Sequence, residues 1–276
     1  MKYTIDDLAE MLTYPRPAFS KMEEQFITKY IDSVPGIKKD TFGNRYIKVG
    51  KSDMSFTCHT DTVHRAEGVE RQVVQLSEDG WAFKKDGDIL GADDTTGVWL
   101  CLNLLYKKIP GLYIFHRAEE VGGRGSSFIA NKTPQLLKGI NKVLSLDRKD
   151  YHDVIIWQRG RMTASEEFGN ALAKQLGHGF RNERGVFTDS ANYDHIVPEC
   201  ANLSVGYFRA HSADELQDLK FAEALSNWLS NVNWNALPVK RDKTNTRRYL
   251  HRNDVKPKSF DDYWGYKDMD YFWNKR

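Results

Sequence analysis

The sequence predicts an α/β fold, a three-layer sandwich with a mostly parallel central sheet and helices on both faces. Two observations predict it. Short apolar runs of strand length alternate through the middle of the chain with longer segments of helical periodicity, the pattern of strands joined by crossover helices. Several of those runs also end abruptly at polar clusters, as strands do when their C-terminal ends face the crevice of an open α/β sheet.

Taken in order, residues 4–14 read as a helix. Thr4 and Asp7 have the spacing of a capping box, Leu8, Met11 and Leu12 share one face, and Pro15 and Pro17 end it. A second helix follows over 20–33, with Met22, Phe26, Ile27, Tyr30 and Ile31 on its apolar face and Pro35-Gly36 as the break. Strands are predicted over 44–49 and 54–58, and 73–76 with 81–84 read as a hairpin across Ser77-Glu78-Asp79-Gly80. The stretch after Asp94, through Val98, Leu100, Leu102, Leu104 and Leu105, reads as a helix. Residues 112–115, 142–146 and 154–157 read as buried strands, 163–176 as a helix, 185–187 as a short extended piece, 201–205 as a strand, and 214–232 as one long amphipathic helix.

These elements place one domain over residues 1–238. Beyond it lies a basic arm with few apolar side chains, then an aromatic tail carrying Phe260, Tyr263, Trp264, Tyr266, Tyr271, Phe272 and Trp273. The arm reads as solvated and the tail as too aromatic to stay in water, so over 239–276 the chain is expected to return to the domain or to a second copy of itself, giving a homo-oligomer. With 276 residues, 40% hydrophobic, 28% charged and a formal net charge of +2, the chain gives no global reason to invoke nucleic acid or an anionic membrane. The basic residues around Tyr249 fit a nucleic-acid partner only loosely. Cys58, Cys101 and Cys200 are too few and too scattered for a disulfide framework. Residues 1–7 lack an apolar leader, and no apolar run spans a bilayer, so a cytoplasmic location is expected.

Five short clusters carry chemistry. In Cys58-His59-Thr60-Asp61, past the end of a buried strand, His59 can ligate a metal through one ring nitrogen while Asp61 accepts the other N–H. In Gly91-Ala92-Asp93-Asp94, adjacent carboxylates repel unless a cation holds them or they point apart; one can cap the following helix while the other ligates. Glu119-Glu120 follows another buried strand and divides naturally into a metal ligand and a general base, against the plainer alternative of a solvated acidic turn. Asp147 ends an apolar strand, where its partner is a metal, Arg148 or another arginine. His211 stands after a strand and before a helix, where a helix cap or a surface histidine is the alternative. Together the clusters present His, Asp, Glu-Glu, Asp and His in order, each beyond a predicted strand. Divalent metals such as zinc accept this mixture of imidazole and carboxylate.

The ordered set resembles the cocatalytic zinc exopeptidase superfamily, which includes bacterial zinc aminopeptidases, the tripeptidase T family and aminoacylases. The resemblance rests on His59-Thr60-Asp61, Gly91-Ala92-Asp93-Asp94, Glu119-Glu120-Val121-Gly122, Asp147 and His211-Ser212, and covers residues 1–232. Gly185-Val186-Phe187-Thr188-Asp189-Ser190 is similar to a segment that lines the substrate pocket. The resemblance implies two divalent metal ions, zinc first, with cobalt or manganese as alternatives. His59 and Asp147 would bind one, Glu120 and His211 the other, and Asp93 both. It implies further that Asp61 orients His59, that Asp94 follows Asp93 across a cis peptide bond, and that Glu119 is the general base and acid of metal-assisted amide hydrolysis. The implied substrate is a short peptide trimmed from one end. An N-acyl amino acid deacylase would use the same centre, whereas a non-catalytic binding module would have lost Glu119 or a ligand. The interval from Asp147 to His211, about 60 residues, leaves no room for an inserted lid domain beyond the remaining core elements. Arg148 is expected to neutralise the acidic site or to hold a substrate carboxylate. His116 and Arg117 belong to no part of the pattern. His64, His178 and His195 read as structural or surface residues, although His195 could line the pocket.

Overall fold

Thr4 and Asp7 form the capping box that their spacing predicts. In the computed structural model, which describes residues 3–65, 70–85 and 87–244, Asp7 N–H donates to Thr4 Oγ1 at 3.2 Å and Thr4 N–H donates to Asp7 Oδ2 at 2.5 Å. They open α1 (Ile5–Met11). Ser20 caps α2 (Lys21–Phe26), which runs on into a π-turn over Ile27–Ile31. There follow β1 (Lys38–Lys39), β2 (Arg45–Val49), β3 (Met54–His59), β4 (Gln75–Leu76), β5 (Trp81–Phe83), α3 (Ala92–Tyr106), β6 (Gly111–His116) and α4 (Arg124–Lys132). The chain continues with β7 (Lys142–Arg148), β8 (Asp153–Gln158), β9 (Arg161–Met162), α5 (Glu166–Leu176), β10 (Arg181–Arg184), β11 (Glu199–Ser204), β12 (Tyr207–Phe208), β13 (Leu216–Asp218) and α6 (Leu219–Asn231).

The main sheet has nine strands in the order β1-β2-β6-β3-β7-β11-β8-β10, with β9 on β8. Its centre, β6-β3-β7-β11, is parallel throughout. Antiparallel pairs join β1, β2 and β6 on one side and β11 to β8 on the other. β3, β6 and β11 are buried along their whole length, as strands covered on both faces must be. Side-chain alternation divides the core between the two faces. Tyr113, Phe115, Leu144 and Leu146 enter the larger cluster with side chains of α1, α3, α5 and α6. Leu112, Ile114 and Val143 enter the smaller one with Ile129 and Ala130 of α4. The predicted three-layer sandwich is therefore the observed one. α3 lies so close to β7 that a Cβ on Gly97 would collide with the Leu146 carbonyl and the Asp94 carboxylate.

A second sheet, β12-β13-β5-β4, is antiparallel and includes the predicted hairpin. It corrects the reading of 214–232 as one helix. Leu216, Gln217 and Asp218 pair with Phe83, Ala82 and Trp81 instead. Buried Gln217 donates to the carbonyls of Val205 (3.3 Å) and Gly206 (3.1 Å), which holds the segment extended. The helix begins only where Asp218 accepts from Phe221 N–H at 2.9 Å. The extended piece expected over 185–187 lies earlier, as β10, paired in parallel with β8. α4 was not predicted.

The arm and tail expected over 239–276 lie outside the described residues from 245 onward. The described start of that segment docks on the domain. Lys240 and Arg241 N–H donate to Glu199 Oε1 at 2.6 and 2.9 Å, and the Arg241 guanidinium donates to the carbonyls of Asp194 (2.6 Å) and Val197 (2.9 Å). Among the described residues, no helix is long and apolar enough to cross a membrane, and Cys58, Cys101 and Cys200 are free and buried.

Candidate metal centre

The parallel strands deliver their chemistry at their C-terminal ends, where an open α/β sheet forms its crevice. His59 is the last residue of β3, Asp147 lies near the end of β7, and Glu119-Glu120 follows β6 by a short turn. Asp93 stands at the entry of α3, where the backbone departs from helical angles and the Asp93–Asp94 peptide bond is cis. His211 lies in the turn between β12 and β13.

The seven residues singled out from the sequence come together. Asp93 is the pivot, because its two carboxylate oxygens face two different imidazoles. Oδ1 lies 3.1 Å from His59 Nε2 and Oδ2 lies 3.2 Å from His211 Nε2. His59 Nε2 is also 3.7 Å from Asp147 Oδ1, and His211 Nε2 is 3.1 Å from Glu120 Oε1. Two ligand triads result, His59-Asp93-Asp147 and Asp93-Glu120-His211, and within each the donor atoms lie within 4.8 Å of one another. Glu119 forms a third group of that size with His59 and Glu120. It therefore sits beside both triads without belonging to either.

The electrostatics fit a pair of divalent cations. Burial, with the Asp93 carboxylate beside them, pushes the Glu120 carboxyl up to about 7 and the Asp147 carboxyl up to about 6. Burial also holds the Glu119 carboxyl well above the usual range, with the Asp147, Asp189 and Glu120 charges adding to it. Burial works against the His211 imidazolium, but hydrogen bonds to Asp93 and Glu120 overcome it and lift the group to about 11. Burial likewise opposes a charged His59, yet Asp147, Asp61 and Asp93 raise it. The cluster is thus carboxylate-rich, buried and in need of positive charge. Two dications sharing Asp93 would satisfy it with imidazole and carboxylate donors of the right kind.

A ring of further contacts fixes these side chains. Asp61 meets His59 through its backbone rather than through the expected carboxylate contact. Its backbone carbonyl is 3.0 Å from His59 Nδ1, closer than its carboxylate at 3.6 Å. The carboxylate instead accepts the N–H groups of Glu119 (3.0 Å) and Glu120 (3.1 Å). Asp94 turns away from the cluster to accept from His59 N–H at 3.1 Å and Gly97 N–H at 3.0 Å, so it caps α3 and anchors β3 at once. Buried Glu215 accepts from Gly91 N–H (2.8 Å) and Asp93 N–H (3.1 Å), tying the β12–β13 turn to Asp93. Asp147 receives Thr188 Oγ1 at 2.5 Å and Tyr207 OH at 3.2 Å, while Asn202 brackets its backbone. Glu215, Thr188, Tyr207 and Asn202 were not singled out as partners of the ligands. Thr188 stood in the Gly185 to Ser190 segment, and Tyr207 and Glu215 stood in the stretch around His211, so part of the signal was there.

Other expectations change. Arg148 does not neutralise Asp147; its guanidinium donates to Asp153 Oδ2 at 3.1 Å. Arg117 belongs to a buried ion pair with Glu23 at 2.6 Å, and His116 lies between Asp189 (2.9 Å) and Tyr193 OH (2.6 Å). Both hold the base of the Glu119 turn in place. His64 is buried against Thr62 and the Ile89 carbonyl, and His178 stacks on Trp228, so both are structural. His195 is 55% exposed and lies beside Asp194, away from the cluster of ligands.

No protein-family model matches the chain, and no curated protein does. Solved structures are similar. A tripeptidase from Staphylococcus aureus superposes with a TM-score of 0.67 at 14% identity, covering 84% of this chain and 97% of that one. An aminopeptidase from Bacillus cereus gives 0.62 at 15% identity over 82% and 96%. A TET1 peptidase from Pyrococcus horikoshii, described as able to assemble into a tetrahedron or a large octahedral shell, gives 0.62 at 15% over 81% and 98%. At these identities the likeness is one of fold. The α/β architecture expected from the sequence is the architecture these peptidases share.

Proposed function

We propose that the protein is a metal-dependent exopeptidase that cleaves a terminal amide bond of short peptides. The observation that carries this reading is the placement of Asp93 between two imidazoles, with Glu119 beside both triads. His59 and Asp147 would hold one divalent cation, Glu120 and His211 the second, and Asp93 both. Zinc suits the donors best, with cobalt and manganese as alternatives. When bound, such a pair lowers the pKa of a shared water and polarises a carbonyl oxygen.

The chain's own groups supply the rest. The Glu119 carboxylate, beside both triads, is the proton carrier: it would accept a proton from the attacking water and return it to the departing amine nitrogen. Asp61 holds the Glu119 and Glu120 backbone so that the base and a ligand are set by one carboxylate. Asp94 and Glu215 set the backbone of His59 and Asp93. The shared fold of the solved peptidases supports the same reading. The catalytic domain needs no lid, since β8, β9, α5, β10, β11 and β12 use up the interval between Asp147 and His211. Three buried free thiols suit a reducing, cytoplasmic compartment.

The test is a panel of aminoacyl, peptidyl and N-acyl substrates, run on chelated protein and after adding zinc, cobalt or manganese. Peptide turnover should depend on the metal and fall by roughly 10²–10⁴-fold in Glu119→Gln. Absence of metal-dependent turnover on every substrate rejects the reading, and turnover of N-acyl amino acids alone replaces it with a deacylase.

A further inference from the structure

We propose that Arg159, stacked on Phe187 at the rim of the metal centre, receives a carboxylate group of the substrate. The inference rests on the hydrolase reading above and names the substrate class: short peptides with a free carboxylate end or an acidic side chain near the scissile bond.

Phe187 joins the rim to the centre. Its neighbour Thr188 donates to Asp147 at 2.5 Å, which fixes the segment against one ligand. On its other side Phe187 abuts the turn that carries Glu119 and Glu120. A Cβ on Gly123 would stand 2.6 Å from Phe187 Cζ, and Gly123 N–H donates to the Glu119 carbonyl at 2.8 Å. The Arg159 guanidinium carbon lies 4.2 Å from the centroid of the Phe187 ring. Its backbone is held there, with φ of 51° in the turn between β8 and β9 and its N–H donating to the Val186 carbonyl at 2.7 Å.

Of the described carboxylates, Arg159 feels only the longer-range charge of Asp194. Among the described residues no carboxylate pairs with it, and the nearby Asp194 is taken by Arg161 at 2.5 Å. A guanidinium stacked by one face on a ring keeps its in-plane N–H donors for a second partner, and their fork matches a carboxylate. Exposed Val186, at 59%, adds apolar surface beside it.

The test reads binding rather than turnover. Zinc-loaded protein carrying Glu119→Gln is titrated calorimetrically with three probes: a tripeptide of alanine, its C-terminal amide, and an amide whose third residue is aspartate. The free acid should bind roughly tenfold to a hundredfold more tightly than the plain amide. Recovery with the aspartyl amide would assign a side-chain source, and no recovery would assign the chain end. Adding Arg159→Gln should erase the preference and Arg159→Lys should keep part of it. Arg181→Gln, at an exposed arginine of β10 paired with Glu183, should leave it intact. Equal binding of acid and plain amide, or a preference that survives Arg159→Gln, overturns the proposal. Turnover by the unsubstituted protein is measured in parallel. Binding through Arg159 without cleavage would reject the hydrolase reading and leave the carboxylate subsite standing.

Discussion

The two halves of the proposed metal centre are built differently. His59 and Asp147 stand on adjacent strands of the main sheet, with side chains 1% and 8% exposed. His211 is 38% exposed and sits in a turn of the smaller sheet with φ of 65°. The inner half is set by adjacent parallel strands, so its candidate ligands are held by the sheet itself. The outer half depends on a short turn whose main tie to the centre is Glu215. Two sites that share Asp93 should therefore differ in affinity, the inner one filling first and the outer one emptying first.

The largest effect that could break this comparison comes at the shared residue. Asp93→Ala removes a donor from both triads and should take bound metal from two per chain toward none, with turnover lost. His211→Ala should leave about one metal per chain, because only the exposed triad is cut. Elemental analysis of the two variants after the same dialysis is the measurement. Equal losses would mean that the two halves are not separate sites of unequal strength.

The comparison also marks what could be read in advance. The clustering of the candidate ligands at strand ends was legible because each apolar run stops abruptly at a polar residue, and Thr4 with Asp7 was legible because a capping box is local. The outer half was less so. Glu215 acts on Gly91 across a separation of 124 residues, and no periodicity reports such a contact. Leu216 to Asp218 carries no strand signal of its own; it is extended because Gln217 finds two carbonyls and Trp81 to Phe83 offers a free edge. The apolar spacing of α6 simply extrapolates back over it. α4 is short and low in overall hydrophobicity, since Gly125 and Ser126 supply half of its buried residues beside Ile129 and Ala130. Arg148 misled because neighbours in a strand point to opposite faces, which turns its guanidinium to Asp153 and away from Asp147.

The rigidity of the inner half has its own test. Gly97→Ala places a methyl between α3 and the Leu146 carbonyl, one residue before Asp147. Overpacking of this kind costs about 1–3 kcal/mol. Denaturant unfolding should show the unfolding free energy fall by that amount, with a lower midpoint, and inner-metal affinity should fall with it because β7 carries Asp147. A variant as stable as the parent would show that the sheet and α3 can part without cost.

Asp61→Asn probes the link from the inner to the outer half. An amide is a weaker acceptor for the Glu119 and Glu120 N–H groups and turns an NH₂ toward one of them. Loss of such supporting contacts typically lowers metal affinity or activity about 10–100-fold. The outer metal should weaken more than the inner, since His59 keeps the Asp61 backbone carbonyl at 3.0 Å. Zinc competition against a chromophoric chelator separates the two constants, and equal weakening would contradict the division.

The smallest effect is expected at Tyr207, which belongs to β12 of the smaller sheet yet donates to Asp147 of the inner half at 3.2 Å. Tyr207→Phe removes one hydrogen bond to a carboxylate that keeps a shorter one from Thr188 at 2.5 Å. A hydrogen bond to a carboxylate is worth about 1.5–3 kcal/mol at good geometry, but this one is long at 3.2 Å, so about 1.5 kcal/mol or less is expected, a several-fold change in inner-metal affinity. The phenyl ring retains the packing of the buried tyrosine, so stability should hardly move. If the outer constant falls instead, β12 acts as a lever on the His211 turn, and the smaller sheet governs its own metal through Tyr207. If only the inner constant falls, the hydroxyl is a local brace on Asp147, and the outer site takes its geometry from Glu215 alone.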